Sequence, residues 1–405
     1  MMWGDNMLVQ FTVKNFRSFK DEATLDLTAI SAYKEHEYNL IDYGQKEKLV
    51  RVAAIYGANA SGKSNLCSAL FVFQKIIIES FNNIDSNKNE HTAISEYYMP
   101  FCFDKEKNNT EFEIIVINGD HEYKYGFEYN SENIVSEWMY RKSYETQRTS
   151  IILERTSENI VFGASIKKYC EQYKDQIPNE TLALSFFNKL KLNTDLFKIV
   201  FDEIMGTLVA DSDFDAYYGI LADFLPDIID NQKEGLLSFL YSIETGIKDI
   251  KYRVSNNEVS FYTTHYDIEG NSYDIDLLEE SQGTIKSIVI YALASIAIEN
   301  DKSIFVDELN IKLHPLLLKF IIDLFYNKKS KAQLIYTTHD TTLLDRKLFR
   351  RDQIWFVQKD EYGHSELTAL SDFKVRSDAS FEKDYLAGVY GGIPLIKDFE
   401  MDVNK

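Results

Sequence analysis

A glycine-bounded loop at residues 57–64 has the residue types and the spacing needed to bind phosphate. The stretch GANASGKS matches the pattern GxxxxGK[ST] and lies between an apolar strand and an amphipathic helix. Its glycines allow a tight turn that points backbone N–H groups at phosphate oxygens. Lys63 would reach the β- and γ-phosphates, and the Ser64 hydroxyl would contact Mg²⁺. The sequence therefore predicts ATP and Mg²⁺ as cofactors, with a nucleotide-binding set of Gly57, Ala58, Asn59, Ala60, Ser61, Gly62, Lys63, Ser64 and Asn65.

Two carboxylates follow an apolar segment in the stretch KSIFVDE, residues 302–308. In folds with such a loop, a strand that ends here places Asp307 at the carboxyl edge of the sheet, beside the phosphate-loop strand. Asp307 could hold Mg²⁺ through water, and Glu308 could polarise the water that attacks the γ-phosphate. The start of a capped helix is the other interpretation, and the upstream phosphate loop favours the catalytic one.

A third apolar segment, AQLIYTTHD at residues 332–340, carries His339 at its end. This histidine could donate a hydrogen bond to the γ-phosphate and so distinguish ATP from ADP. A structural histidine is the common alternative at a strand end. The position of this third strand end in a phosphate-loop fold favours a catalytic assignment.

Ser281, Gln282 and Gly283 directly precede a helix-forming stretch. A serine hydroxyl, a glycine N–H and a helix N-terminus together can bind an anion, although a plain helix N-cap explains the same residues. One chain does not need two γ-phosphate sites for one nucleotide. A second site is useful if it serves the nucleotide held by another copy of the chain.

The elements that position these motifs fall into three zones. Strand-forming stretches surround the phosphate loop and end in an antiparallel meander at 111–142. Residues 164–250 indicate consecutive helices, and from 258 onward strands and helices alternate as in a parallel sheet with helical crossovers. We therefore expect an α/β fold with an N-terminal half at 1–140, a mainly helical insertion at 141–255 and a C-terminal half at 256–405.

Composition restricts the partners and the compartment. The net charge of −20 disfavours indiscriminate binding to DNA or to an anionic membrane, and the basic stretches at 327–331 and 350–353 are interpreted as solvated surface. Three widely separated cysteines argue against a disulfide framework or a zinc site and fit a reducing cytoplasm. No apolar run is long enough for a membrane span, and residues 1–6 look like a short leader, so that Met1 and Met7 are both candidate starts.

The four motifs, in this order, resemble the ABC-class ATPase heads of the SMC, RecF and OLD-like group. The opening MLVQFTVKNFRSFKDEATLDL is similar to the first strand and turn of that group. A second resemblance, to prokaryotic stand-alone ATPases of the RloA and abortive-infection type, covers roughly 1–140 and 255–400. It is carried by ESQGTIKS, VDELNIKLHP, QLIYTTHDTTLLD, RRDQIWFV and DFKVRSDASFEKDYLAGVYGGIP.

This resemblance implies a P-loop ABC-ATPase head: a mixed β-sheet with flanking helices and an antiparallel β subdomain. Residues 57–64 would be the Walker A loop, Asp307 the Walker B aspartate and Glu308 the catalytic glutamate. Residues 281–283 would be the signature motif that acts across a head-to-tail dimer. His339 would be the switch histidine, and Arg17 would approach the nucleotide. Asn310 departs from the family, which usually has an aspartate there, and the signature is a relaxed one.

The resemblance also implies a biological setting. It predicts an ATPase that forms a homodimer or higher homo-oligomer in the cytoplasm, without a membrane, and regulates a separate nuclease-like or toxic effector in anti-phage defence. A phage- or nucleic-acid-derived molecule would be the trigger, and the insertion is the natural place to recognise it. Two alternatives stay open: a RecF- or SMC-like DNA-repair ATPase, and a non-hydrolysing scaffold clamped by ATP. The insertion aromatics Phe186, Phe187, Tyr217 and Tyr218 are predicted to be packed core.

Overall fold

The computed structural model describes residues 7–43, 47–81, 92–105, 108–190, 192–210, 214–255, 258–326, 329–376 and 379–393. Residues 1–6, interpreted above as a leader, lie outside this range. The described strands are β1 (Met7–Lys14), β2 (Ala23–Asp26), β3 (Leu40–Tyr43), β4 (Glu47–Val50), β5 (Val52–Tyr56), β6 (Thr110–Asn118), β7 (His121–Tyr129), β8 (Ile134–Ser143), β9 (Thr149–Thr156), β10 (Ile160–Phe162), β11 (Leu208–Ala210), β12 (Asp249–Ser255), β13 (Glu258–Tyr266), β14 (Ser272–Asp276), β15 (Ser303–Val306), β16 (Gln333–Thr338), β17 (Ile354–Lys359) and β18 (Ser365–Ala369). The described helices are α1 (Lys63–Glu79), α2 (Ala93–Glu96), α3 (Lys167–Cys170), α4 (Ala183–Lys189), α5 (Leu196–Met205), α6 (Phe214–Asn231), α7 (Lys233–Ser242), α8 (Gln282–Asn300), α9 (Pro315–Phe325) and α10 (Phe381–Leu386).

The phosphate loop emerges from a sheet whose described strands follow the order β11-β15-β16-β5-β17-β18. The first five of these strands are parallel, and β18 runs antiparallel to β17. Strands β5, β15 and β16 are buried along their whole length, which explains their uninterrupted apolar sequences. Because parallel strands end at the same edge of the sheet, the three motifs that follow β5, β15 and β16 meet there. The expectation that the Asp307 strand lies directly beside the phosphate-loop strand is wrong, since β16 is inserted between β15 and β5. The expected α/β fold is confirmed.

A second sheet, in the order β10-β9-β8-β7-β6-β1-β2, is antiparallel and shares a hydrophobic core with α1 and β5. Phe73 of α1 is at the centre of this core. Its ring centroid lies 5.9 Å from that of Phe11 and 5.4 Å from that of Phe127, on which it stacks. Aromatic contacts of this kind add to the burial energy and fix the helix relative to the sheet. The N-terminus of α1, where phosphate would bind, is held in place by this packing.

The other face of the core sheet is covered by α6, α8 and α9. Alternate residues of one strand face the two cores: Ile304 and Val306 of β15 contact the helices, and Phe305 faces the α1 side. Two smaller sheets, β12-β13-β14 and β3-β4, complete the described topology. In the described part of the chain, no helix is both long and apolar enough to cross a membrane.

Two observations correct the expected boundaries. The antiparallel sheet does not end near residue 140, since β8, β9 and β10 continue it to Phe162. The helical segment that follows also supplies β11, which pairs in parallel with β15 at the edge of the core sheet. The helical segment therefore completes the core sheet instead of standing apart from it. A strand of three residues is too short for its periodicity to be recognised in a sequence.

The predicted burial of the insertion aromatics is confirmed where it can be examined. Phe186 and Phe187 are buried, and Phe187 stacks on Phe197 with ring centroids 4.8 Å apart. Tyr218 is half-buried, and its hydroxyl donates a 2.6 Å hydrogen bond to the Val259 carbonyl. The side chain of Tyr217 lies outside the described residues.

The basic stretch at 350–353 begins with a buried arginine and not with a solvated one. Arg350 is 0% exposed and forms a bidentate pair with Asp352, with distances of 2.9 and 2.7 Å. The same guanidinium donates to the backbone carbonyls of Ile30, Tyr33 and Glu35. The surface interpretation is therefore wrong for Arg350, which fastens the segment after β2 to the start of β17. In the other basic stretch, Asn327 and Lys328 lie outside the described residues.

Candidate functional site

The Walker A loop connects β5 to α1 and is constrained by close backbone contacts. A Cβ atom on Gly57 would lie 2.5 Å from the Val357 carbonyl oxygen and 2.6 Å from Ser61 Oγ. Gly62 has a φ of +114°, and a Cβ there would collide with the hydroxyls of Ser18 and Ser365. Only glycine satisfies both positions. The two glycines of the pattern are thus explained by the packing of this loop.

Lys63 begins α1 and turns back into the loop. Lys63 is 5% exposed. Its ammonium donates hydrogen bonds to the carbonyls of Gly57 (2.8 Å) and Ala58 (2.9 Å). Burial lowers the pKa of Lys63, and the charges of Glu308 and Asp307 act in the opposite direction. The structure therefore brings the lysine and the two carboxylates together, as the sequence predicted. Ser64 follows with an exposed side chain in the first turn of the helix.

Asp307 lies at the end of β15, 1% exposed, with its two carboxylate oxygens in different environments. Oδ1 accepts a 2.6 Å hydrogen bond from the Thr337 hydroxyl. Oδ2 is buried and has no hydrogen-bond partner among the described residues. A buried carboxylate oxygen without a donor is costly unless a cation or a bound molecule compensates it. The Asp307 carboxylate acts electrostatically on the buried ammonium of Lys63, and its unpartnered oxygen is of the type that binds Mg²⁺.

Glu308 follows in the left-handed backbone region, with a φ of +47°. Its amide N–H donates a 2.7 Å hydrogen bond to the Thr337 hydroxyl, which thus connects both carboxylate residues. A left-handed non-glycine residue is uncommon and is held only where its surroundings determine it. Glu308 is partly exposed to solvent.

His339, at the end of β16, is exposed and lies close to Asn310. The distance between His339 Nε2 and Asn310 Nδ2 is 3.5 Å, and Asn310 Oδ1 accepts a 2.8 Å hydrogen bond from the Thr338 hydroxyl. The departure at position 310 is therefore adjacent to the predicted switch histidine. An amide here presents an N–H to the imidazole, where an aspartate would present an acceptor.

The predicted signature residues, Ser281, Gln282 and Gly283, occupy the N-terminus of α8. The Ser281 hydroxyl accepts a 3.1 Å hydrogen bond from the Thr284 amide and caps its own helix, and Ser281 and Gln282 are exposed. A Cβ on Gly283 would lie 2.8 Å from the Lys312 carbonyl oxygen, so the segment packs closely on the loop after Glu308. Within one chain these residues form a capped helix start.

Lys286 was missed by sequence reasoning. It lies one turn into α8, is 3% exposed, and its ammonium donates a 2.7 Å hydrogen bond to the Glu308 carbonyl. Burial lowers the pKa of Lys286 to about 8, against the opposing effect of Glu308 and Asp307. The sequence offered one indication of this burial: Lys286 lies beside Ile285 and Ile288, on the apolar face of the helix.

Hydrogen bonds through serine hydroxyls connect the Walker A loop and α1 to β18 and to the NFRSF turn. Ser365 Oγ donates a 2.6 Å hydrogen bond to the Ser61 carbonyl, and the Ser365 amide donates to the Ser18 carbonyl at 2.7 Å. Asn65, predicted to contact the nucleotide, donates its side-chain N–H to Ser18 Oγ at 2.7 Å. In this structure Asn65 therefore fastens α1 to the NFRSF turn. Arg17 of that turn donates to Ser68 Oγ at 3.1 Å, beside α1.

The C-terminal segment forms a wall beside the same loop. A cavity of about 610 Å³ separates residues 58–61 from the stretch Ala387–Ile393 and from the end of β17. Gly391 and Gly392 both have φ of +68°, and the Tyr385 hydroxyl donates a 2.9 Å hydrogen bond to the Gly392 carbonyl. Residues 387–393 thus form the far wall of this cavity, although they lie more than 300 residues from the phosphate loop in sequence.

These features define a P-loop nucleotide-binding domain. Residues 52–345 match the family described as "AAA domain, putative AbiEii toxin, Type IV TA system". The match spans more than half of the chain, and the chain belongs to this family.

No curated protein matches the chain significantly. Among solved structures, an SMC head domain from Thermotoga maritima is 14% identical, with 89% of this chain and 98% of that chain covered and a TM-score of 0.36. An Smc head domain with a coiled coil and joint from Pyrococcus yayanosii is 10% identical, with coverage of 94% and 99% and a TM-score of 0.43. An Smc head from Pyrococcus furiosus, bound to the C-terminal domain of ScpA, is 13% identical, with coverage of 94% and 98% and a TM-score of 0.41. All three similarities are remote.

Proposed function

We propose that this protein binds and hydrolyses ATP with Mg²⁺. The observation that carries the proposal is the buried, unpartnered Oδ2 of Asp307 near the ammonium of Lys63. In this proposal the backbone of residues 57–65 and Lys63 hold the phosphates, and Ser64 and Asp307 hold Mg²⁺, Asp307 through water. Bound Mg²⁺ supplies charge stabilisation at the transferring phosphoryl group. Glu308 polarises the attacking water, and His339 donates to the γ-phosphate.

The second part of the proposal is a head-to-tail homodimer closed by ATP. Its support is the exposed N-terminus of α8, where Ser281 and Gln282 face outward. A helix of this length presents N–H groups and a positive dipole end to an anion. Residues 281–283 of one copy then contact the γ-phosphate bound by the other, so that hydrolysis opens the dimer.

The third part concerns the cellular role. We place this ATPase in the cytoplasm as the sensor and regulator of a separate effector protein in anti-phage defence. The support is the description of its family, which includes a toxin–antitoxin system, and the resemblance of its C-terminal run to abortive-infection ATPases. A phage- or nucleic-acid-derived trigger acts on the dimer, and the effector carries out the damage.

Glu308→Gln tests the enzymatic part. The amide keeps the size of the side chain and removes the base, so ATP binding should persist while hydrolysis falls by about 10²–10⁴-fold. With ATP and Mg²⁺, size-exclusion chromatography with light scattering should show a long-lived dimer for Glu308→Gln. Glu158→Gln, in the exposed turn between β9 and β10, should behave like the wild type. Wild-type turnover by Glu308→Gln, or a monomer under these conditions, would contradict the proposal.

The trapped dimer also tests the cellular role. Affinity purification of the Glu308→Gln protein from host lysate, followed by mass spectrometry and nucleic-acid staining, should recover one stoichiometric effector. Retained duplex DNA with no protein would instead favour the repair-type alternative. ATP binding without any turnover by the wild type would favour the scaffold alternative.

A further inference from the structure

Lys286 connects two parts of the site that the motifs treat as separate. Its backbone belongs to α8, five residues after Ser281, and its ammonium contacts the carbonyl of Glu308 at 2.7 Å. The neighbouring side chains on this helix, Ile285 and Ile288, are buried and apolar. A lysine at such a position is therefore a specific contact and not part of a polar surface.

The energetics favour a role for this contact. An ammonium removed from water is costly unless it is paired and hydrogen-bonded. Lys286 finds this compensation at the Glu308 peptide and in the charges of Asp307 and Glu308. In turn, the Glu308 peptide is held in the left-handed region, where φ is +47°, by bonds on both sides. Its N–H bonds to Thr337 and its carbonyl bonds to Lys286.

The geometry points to Lys286 as a positioning residue that transmits contact at the signature segment to Glu308 of the same subunit. Residues 281–283 begin the helix that carries Lys286, and Gly283 packs directly against the Lys312 carbonyl. When these residues engage the ATP of the other copy, a small shift of α8 moves the Glu308 peptide. Each ATP then regulates hydrolysis at the opposite site. This inference rests on the proposed dimeric ATPase.

The first test needs no turnover. Lys286→Met keeps an apolar side chain of similar length and removes the hydrogen-bond donor. Ile290→Val removes one buried methylene from the same helix and controls for weaker packing of α8 in general. In the nucleotide-free protein, hydrogen exchange of residues 307–313 should be about tenfold faster in Lys286→Met, as expected for one lost bond to a charged donor. Ile290→Val should leave this exchange within about twofold of the wild type. ATP affinity should stay within about threefold in both, since neither residue is assigned to the phosphates.

The second test distinguishes an effect of Lys286 on Glu308 of its own subunit from an effect of its signature segment on the other subunit's site. Heterodimers are purified with two tags, one subunit carrying Glu308→Gln so that a single active site remains and both sites bind ATP. With Lys286→Met in the subunit that keeps Glu308, turnover should fall at least about tenfold. With Lys286→Met in the Glu308→Gln subunit, turnover should be unchanged. Lys286→Arg, which keeps a charged donor, should recover part of the lost activity.

The outcomes are distinct. Loss only with Lys286→Met in the Glu308→Gln subunit would mean that Lys286 acts through the signature segment of its subunit on the other site, and equal loss in both arrangements would mean general damage to the dimer; either result would overturn the inference. No loss in either arrangement, or unchanged hydrogen exchange, would overturn it as well. Absence of ATP-dependent dimers or of turnover in the parent protein would instead overturn the proposed function, and the nucleotide-free exchange experiment would still test the contact.

Discussion

The Thr337 hydroxyl donates a 2.6 Å hydrogen bond to one carboxylate oxygen of Asp307 and accepts one of 2.7 Å from the Glu308 amide. Thr337 lies on β16, the strand beside β15, and its side chain is fully buried. One hydroxyl therefore orients the predicted metal ligand and the backbone of the predicted base. The second Asp307 oxygen is left buried and without a hydrogen-bond partner among the described residues.

Replacing Thr337 by valine should damage the site while conserving its volume. The Glu308 N–H and Asp307 Oδ1 would both lose a buried partner, which predicts a decrease of about 2 kcal/mol in the free energy of unfolding. Hydrolysis should fall more than ATP affinity does, because the phosphate loop is not touched. Urea denaturation and steady-state kinetics would measure both effects.

Thr24→Val is the matched control for Thr337→Val. Its hydroxyl shares a 2.9 Å hydrogen bond with Thr12 on the antiparallel sheet, and it is partly exposed. Stability should change by less than about 1 kcal/mol, with unchanged turnover. Equal effects of the two substitutions would remove Thr337 from its assigned role.

The sequence predicts those parts of the site that lie next to one another in the chain. The GxxxxGK[ST] loop, the carboxylates after β15 and His339 after β16 each follow an apolar strand. A parallel sheet brings the ends of such strands together. The placement of Lys63, Asp307 and Glu308 at one edge followed from this rule.

The remaining contacts depend on pairings that a sequence does not display. Ser365 supports Ser61 from a strand 304 residues away, and β11 enters the core sheet through three residues inside an otherwise helical stretch. Arg350 has the composition of a surface residue, yet its fork geometry satisfies five acceptors inside the fold. Such polar residues are buried because of their partners, and partners distant in sequence are invisible to periodicity.

Lys63→Ala should abolish tight nucleotide binding. It removes a charge-assisted contact worth about 1.5–3 kcal/mol, so the affinity for an ATP analogue should fall at least about tenfold in calorimetry. Lys75→Ala, on the exposed face of the same helix where Lys75 pairs with Glu79, is the control. An affinity of Lys63→Ala close to that of the wild type would exclude Lys63 from phosphate binding.

Gly57→Ala should act through a steric collision. The new Cβ would meet the Val357 carbonyl at 2.5 Å, and backbone cannot move away as a side chain can. We expect the loop to be displaced from β17, with a loss of about 1–3 kcal/mol of stability and a lower affinity for ATP.

Gly219→Ala separates this collision from a general effect of alanine. Gly219 lies in α6 with nothing within 4 Å of the added atom, and alanine there should stabilise the helix by up to about 1 kcal/mol. Thermal denaturation of both variants measures the contrast. A neutral Gly57→Ala would show that the loop tolerates a side chain at its first position.

The alkaline stability of the protein should depend on Lys286. Burial lowers its pKa in the folded chain to about 8, whereas an unfolded lysine titrates near about 10.4. Between these values the unfolded chain holds a proton that the folded chain has released, so this group makes stability rise with pH. The facing charges are Glu308 and Asp307, which raise the pKa, and Lys312, which lowers it.

Lys286→Met provides the reference for this titration. The difference in unfolding free energy between wild type and Lys286→Met should change in favour of the wild type by up to about 1.4 kcal/mol per pH unit above about pH 8. Urea titrations at about pH 7, 8.5 and 10 would measure the slope. Parallel stability curves would mean that Lys286 keeps its ordinary protonation in the fold.

The two adjacent arginines should differ widely in their contribution to stability. Arg350→Met leaves Asp352 and three carbonyls buried without the guanidinium, which predicts a loss of about 3–5 kcal/mol. Arg351 is partly exposed, pairs with Glu35 at 3.0 Å and stacks on the Tyr33 ring, so Arg351→Met should cost less than about 1 kcal/mol. The comparison controls for the loss of one positive charge near the same segment.

Because the Arg350 carbonyl partners belong to residues 30–35, Arg350→Met should also accelerate hydrogen exchange of that segment. A small effect of Arg350→Met, similar to that of Arg351→Met, would show that the segment is held by its apolar contacts instead.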